Sequence, residues 1–184
     1  MADVVDLLLM AGAREPHRQA AIARYHALLE RQDLGEFAGR LQQEMAERDT
    51  FFGDRLLCPF LRPHFLGREQ LLVLQDAVRG VVGAMQVLAP RILASPELQD
   101  RLGLTEEERR LAALDPGYPD LSVTSRLDSF MLGGSLRFVE YNAESPAGIA
   151  YNDVLMEIFL GTPVMREFLR DYPCQPLYCR DHLL

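Results

Sequence analysis

The chain contains no lysine. All 19 of its basic residues are arginines, set against 27 acidic ones, for a net charge of −8. A protein whose main partner is nucleic acid needs basic patches to neutralise phosphates. This balance excludes that class and leaves room only for a local nucleotide site. Phosphate-cradling Gly-x-Gly and Gly-Lys loops are also missing. Cysteine is scarce, with only Cys58, Cys174 and Cys179. An odd, sparse set builds no disulfide framework and points to a reducing, cytoplasmic setting. Cys174, Cys179 and His182 lie close in sequence, but three ligands at that spacing make a poor zinc signature. The two cysteines read as buried or idle thiols. The apolar run from Val5 to Met10 is too short to cross a bilayer and lacks the basic leader of a signal peptide. No membrane role is expected, and neither repeats nor low-complexity segments occur.

What is present is the composition of an ordinary soluble domain: 184 residues, 48% hydrophobic and 25% charged. That length supports one good core, or one core with a small appendage. Helical signals dominate the first part. Residues 3–12 read as a short apolar helix. Glu15-Pro16 opens the next, with Pro16 where a missing N–H costs little, and Ala21, Ile22, Tyr25, Leu28 and Leu29 form its apolar face. Phe37, Leu41 and Met45 support a helix to about Arg48. Residues 50–66, with Pro59 and Pro63, read as a packed connector anchored by Phe51, Phe60 and Phe65. His64 reads as structural there.

Gly67 opens the strongest helix. Leu71, Leu74, Val78, Val81, Met85, Leu88 and Ile92 recur at alternating spacings of three and four, which predicts a buried stripe. Few charges flank it, so packing within the molecule is expected over a coiled-coil dimer. Pro90 should kink or end the helix. Thr105 and Glu108 form a capping box, which explains the acidic run as a helix start. After the hairpin described next, Asn152 or Asp153 is expected to cap a helix through Leu160. Thr162-Pro163 opens another, and Asp181 caps one more.

The chemistry lies between Ser125 and Gly148. Two strand-like runs flank Gly133-Gly134, a hairpin signal. A two-residue loop pairs Leu132 with Ser135 and turns Glu140 away from Asp128, because side chains alternate faces. A three-residue loop pairs Leu132 with Leu136 and Phe130 with Phe138. It sets Asp128 opposite Glu140 and Arg126 opposite Asn142, and is the preferred register. Opposed carboxylates repel unless a positive charge lies between them. Mg²⁺, which takes oxygen ligands, is one answer. Asp128, Glu140 and the Asn142 amide oxygen supply three, and Arg126 offers a planar fork to a phosphate. The other answer is an ion-pair cluster of Arg126 with the two carboxylates.

Arg126-Leu-Asp128, followed by Glu140-Tyr-Asn-Ala-Glu-Ser-Pro146, resembles glutathionylspermidine synthetase and related ATP-grasp ligases over residues 120–160. The resemblance implies that Asp128, Glu140 and Asn142 bind Mg²⁺ and that Arg126 lies by the transferred phosphate. It implies that Ser145 contacts substrate, while Ala147 stands where a second hydroxyl is expected. It further implies an ATP-dependent ligase joining a carboxylate to an amine through an acyl phosphate. The expected fold is mixed α/β. A helical scaffold over residues 1–116 precedes a hairpin-containing, pre-ATP-grasp-like region over 117–184. The missing lysines and phosphate loop fit the N-terminal part of a longer ligase. The alternatives are a subunit of a split ligase and a non-catalytic scaffold or interaction domain.

Overall fold

A computed structural model describes residues 15–117, 122–132 and 135–182. The expected helix over residues 3–12 lies outside them. The architecture is mixed: helices with two small antiparallel sheets of two strands each. The described chain divides into two compact units. Residues 15–69 and 147–182 form a helical unit, and Gln70–Pro146 a hairpin unit. The 116/117 boundary expected from sequence falls inside the latter.

The helical unit holds α1 (Glu15–Leu29), α2 (Leu34–Glu47), β1 (Phe51–Phe52), β2 (Arg55–Leu56), α6 (Ile149–Gly161) and α7 (Pro163–Asp171). Local chemistry sets the helix ends. Asp33 accepts the Glu36 backbone N–H at 3.0 Å to start α2. Thr162 accepts that of Met165 at 3.1 Å to start α7, with Pro163 at its first position. Each such cap is worth about 1 kcal/mol. Ala21, Tyr25, Leu28 and Leu29 recur on one face of α1, and Phe37, Leu41 and Met45 on one face of α2. They bury against Ile158 and Phe159 of α6 and Val164, Met165 and Phe168 of α7. Ion pairs brace the rim: Arg24 with Asp171 at 2.7 Å, Arg31 with Glu167 at 2.6 Å, and Arg48 with Glu157.

Two expectations fail here. Phe60 does not anchor the connector, being 70% exposed. The anchor is Phe65, whose ring stacks on Phe168 at 4.8 Å and meets Tyr25 edge-on at 5.6 Å. Nor do Asn152 and Asp153 cap a helix. The helix α6 already begins at Ile149, behind Gly148 in the left-handed region, so both residues lie inside it.

Asp153 has a different task. Its buried carboxylate accepts the backbone N–H groups of Cys179 at 2.7 Å and Arg180 at 3.1 Å. It thereby holds the 3₁₀ turn Arg180–His182 against α6. Burial pushes the carboxyl up, but those two N–H groups, the Asn152 amide and the Arg180 guanidinium outweigh it and leave it below its ordinary value. A depressed value means stabilisation that is complete above the unfolded carboxylate pKa of about 3.9. It is lost as pH falls through the folded value. Hydrogen exchange at Cys179 and Arg180 should therefore be flat with pH, after correction for intrinsic rates, down to about pH 4 and faster below. Asp153→Asn, which leaves these donors poorly matched, should cost about 1–3 kcal/mol and speed the same amides at neutral pH. Unchanged protection would show that the turn is held by other contacts.

The hairpin unit contains most of α3 (Arg68–Leu93), then α4 (Pro96–Arg101), α5 (Glu106–Ala112), β3 (Arg126–Leu132) and β4 (Ser135–Asn142). The capping box forms as expected: Glu108 donates its N–H to the Thr105 hydroxyl, and its carboxylate accepts the Thr105 N–H at 2.7 Å. The Thr105 N–H, and the Thr105 hydroxyl donating to the same carboxylate at 2.8 Å, hold the Glu108 carboxyl below its ordinary value.

The helix α3 forms over the expected span and runs three residues past Pro90, but its stripe is not buried. Leu71, Leu74, Val78, Val81 and Ile92 are half-buried, while Met85 and Leu88 are exposed. Only Gln70 and Val73 are buried in α3. Among the described residues of this unit, two short helices and a two-stranded hairpin are too little structure to cover 26 residues of helix, which extend about 39 Å. By length and composition α3 could also cross a membrane. Asp76 and Arg79 interrupt it, and each such charge at a bilayer centre costs about 3 kcal/mol.

Candidate functional site

The site is built on the hairpin β3–β4, and its register differs from the expected one. Leu132 pairs with Ser135, Met131 with Leu136, Phe130 with Arg137 and Ser129 with Phe138. This is the two-residue pattern. The expected pairs Leu132–Leu136 and Phe130–Phe138 are not made. Gly133 and Gly134 themselves lie outside the described residues. Beyond Ser129 the register shifts by one, and Asp128 pairs with Glu140, Leu127 with Tyr141, and Arg126 with Asn142. The polar pairing expected from sequence is therefore present, but a different device produces it. Val139 is an extra residue on β4, a β-bulge.

The reason lies in the two faces. Continuing the two-residue pattern without a bulge would send Glu140 and Asn142 to the face of Leu127 and Met131. The bulge restores alternation. Leu127, Met131, Leu136, Phe138 and Tyr141 then share one half-buried face. Arg126, Asp128, Glu140 and Asn142 share the other. Val139, outside the pairing, is 64% exposed. Bulges recur beside active sites because they re-aim side chains in this way.

Within the cluster, Arg126 grips Asp128. Its Nε donates to Oδ1 at 2.7 Å, and one terminal nitrogen donates to Oδ2 at 3.4 Å. This bond first, then the fields of Asp128 and Glu140, pushes the Arg126 guanidinium further above its ordinary value. Both partners are about two-fifths exposed, at 43% and 41%. At that exposure an ion pair adds little to stability. Glu140 is exposed opposite Asp128.

Asn142 is the unusual member. Its amide nitrogen is buried and finds no hydrogen-bond partner among the described residues. A buried unsatisfied donor costs about 1–3 kcal/mol, and such groups in native folds call for a functional account. Turned over, the amide would present its oxygen at the same point.

The far end of the hairpin is pinned. The Ser122 hydroxyl is shared between the carbonyls of Ala143 at 2.5 Å and Thr124 at 2.9 Å. This ties the chain leading into β3 to the residue after Asn142. Ser145 follows, with φ at 39°. A non-glycine residue in the left-handed region stores on the order of 1 kcal/mol of strain, and such residues gather at functional sites. Ser145 is exposed and makes no hydrogen bond to the cluster among the described residues.

The donor set suits a hard cation in kind: two carboxylates and one amide, all oxygen ligands. Among the described residues, no group of three or more His, Cys, Asp or Glu is placed to hold a metal. The hairpin could thus offer at most two anionic ligands, and Arg126 already occupies Asp128. A cation there would share Asp128 with Arg126 and take its remaining oxygens from water or a bound ligand.

Sequence reasoning missed two residues that the structure brings forward. Asp153 reads as a helix cap because its true partners lie 26 and 27 positions away. Arg62 sits in a proline-rich connector where nothing local marks it, and it returns below.

No family model matches this chain, and neither a curated protein nor a solved structure matches it.

Proposed function

We propose that this chain contributes the hairpin segment of an ATP-dependent ligase that joins a carboxylate to an amine. The observation that supports this reading is the bulge at Val139, which gathers Arg126, Asp128, Glu140 and Asn142 on one face. These are the four positions on which the resemblance to ATP-grasp ligases rests. In such a reaction a substrate carboxylate attacks the terminal phosphorus of ATP, giving an acyl phosphate and ADP. The amine then displaces phosphate, forming the amide and releasing a proton.

Asp128, Glu140 and Asn142 would hold Mg²⁺, whose chemistry is to neutralise charge on the phosphates. Arg126, with its planar fork, would pass from Asp128 to a phosphate oxygen as charge builds there. Ser145, carried on its strained turn, would contact the substrate. Positioning and electrostatics, with no protein nucleophile, would carry the rate.

A second reading is a non-catalytic interaction domain with a surface ion pair. The Arg126–Asp128 bond favours it, since Arg126 alone already neutralises that carboxylate. ADP release separates the two. The 184-residue chain contains neither lysine nor a phosphate loop, so alone it should show no turnover with ATP, Mg²⁺ and mixed carboxylates and amines. A longer natural protein containing it should release ADP only when both substrate classes are supplied. Turnover by the isolated chain that survives repurification would contradict the proposed division of labour. ADP release by the longer protein that ignores both substrates would contradict the ligase itself.

A further inference from the structure

The helical unit contains a cavity of about 540 Å³ that the hairpin does not involve. Its walls are mainly apolar, with Phe60 from the connector and Met156 from α6. A few polar groups also line it: His26 at the end of α1, Arg62 and His64 from the connector, and Asn152 from α6. A second cavity of about 260 Å³ shares His64, Asn152 and Met156 with it. Volumes of several hundred Å³, apolar walls and a few convergent polar groups are the usual features of small-molecule sites.

The charge at this cavity runs against that of the chain. The sequence has 27 acidic residues, yet no residue lining either cavity is Asp or Glu. Arg62 is half-buried. Its guanidinium donates to the Pro63 carbonyl at 2.9 Å and stands 5.7 Å from the centre of the Phe65 ring. It has no carboxylate partner among the described residues. Two other half-buried arginines, Arg24 and Arg109, each have one, Asp171 and Asp100. A partly desolvated cation without a counter-ion is costly, and an anion from outside would supply what the fold withholds. His64, at the exposed rim, is held below its ordinary value by partial desolvation and by the guanidinium groups of Arg18 and Arg62. It therefore adds a neutral donor to that side of the cavity.

We propose that this cavity binds a small amphipathic carboxylate, a medium-chain aliphatic or an aromatic acid. Its carboxylate pairs with Arg62, and its apolar body lies against Phe60 and Met156. Asn152 spends its amide N–H groups on the Leu177 carbonyl at 2.9 Å and on Asp153 at 3.2 Å. That fixes the polar wall without competing for the ligand. Met156, unbranched and polarizable, can adapt to bodies of different shape. The site is independent of the hairpin and of the ligase reading.

Octanoate and its neutral counterpart octanol are the probes, followed by chemical shifts of the 184-residue chain. Octanoate should move resonances of residues 58–64 and 152–159 and bind about ten- to hundredfold more tightly than octanol, the range of a charge-assisted hydrogen bond. Arg62→Ala should remove that advantage and leave octanol unaffected, while Arg62→Lys should keep part of it. Met156→Trp, which crowds a wall common to both cavities with a larger, rigid ring, should abolish binding of both probes. It serves as the test if Arg62→Ala does not fold. Equal affinity for the two probes would overturn the proposal. So would octanoate binding unchanged in Arg62→Ala, probe binding that persists in Met156→Trp, or no shifts at millimolar octanoate.

Discussion

On the proposed ligase reading, Asp128→Ala and Glu140→Ala, each made in a longer natural protein that contains this chain, should lower turnover by on the order of 10²–10³ at saturating ATP and Mg²⁺. Melting temperature should hardly change. The asymmetry follows from where these groups sit. Both lie on the polar face of the hairpin, where a partly exposed ion pair adds little to the stability of the fold. If they hold charge at the phosphates, the same groups act where transition-state charge develops and count for far more. Asp128→Ala should also lower the Arg126 pKa, whose elevation rests first on its bond to Asp128. Asn142→Asp is a finer variant, because it keeps an oxygen ligand and adds charge. It should retain part of the Mg²⁺ affinity with altered turnover. Wild-type turnover in both alanine variants would leave the cluster as a surface ion pair.

Phe168→Ala should have the largest effect on stability. The Phe168 ring is 1% exposed. It stacks on Phe65 at 4.8 Å and on Tyr172 at 5.4 Å, and meets Tyr25 edge-on at 5.4 Å. These contacts join α1, α7 and the connector at one point. Truncation removes the buried area and opens a cavity between three elements, which typically costs about 3–5 kcal/mol. Aromatic pairing adds about 0.5–1.5 kcal/mol per contact. Native domains are stable by only about 5–15 kcal/mol, so the helical unit should be largely unfolded at moderate denaturant. Urea melts followed through residues of that unit measure this. A loss below about 1 kcal/mol, smaller than core truncations give, would show that the aromatic cluster is not the unit's keystone. Burial pushes the neighbouring Tyr25 phenol up to about 12, against small opposing pulls from Thr162 and Arg62. It stays neutral throughout such an experiment.

The parts that were legible in the sequence are those decided locally. Glu15-Pro16, the Thr105–Glu108 box and Thr162-Pro163 each satisfy or avoid orphan N–H groups within one turn. The chain near them is enough to place the helix start. Core faces of α1 and α2 were legible for a similar reason, since helical spacing alone puts Tyr25 beside Leu28 and Leu29. What was not legible depends on competition at a distance. The two-residue register at the turn and the polar pairing at the far end are incompatible in a regular ladder, and the chain reconciles them with Val139. A period-two reading contains no such option, so it reached the right partners for Asp128 through the wrong turn. The α3 stripe shows the opposite limit. Its spacing states that Leu71 through Ile92 share a side, but not whether enough structure exists to cover them. Asp153 and Arg62 depend on partners from other segments, which no local pattern announces.

The most direct test of the ligase-site account is paramagnetic broadening by Mn²⁺, a stand-in for Mg²⁺, on the isotope-labelled chain in the presence of ATP. The account predicts selective loss of signal at residues 126–128 and 140–142, reversed by excess Mg²⁺ and absent in the Asp128→Ala, Glu140→Ala double variant. Broadening that instead centres on the acidic start of α5 at Glu106, Glu107 and Glu108, or that persists unchanged in the double variant, would contradict it.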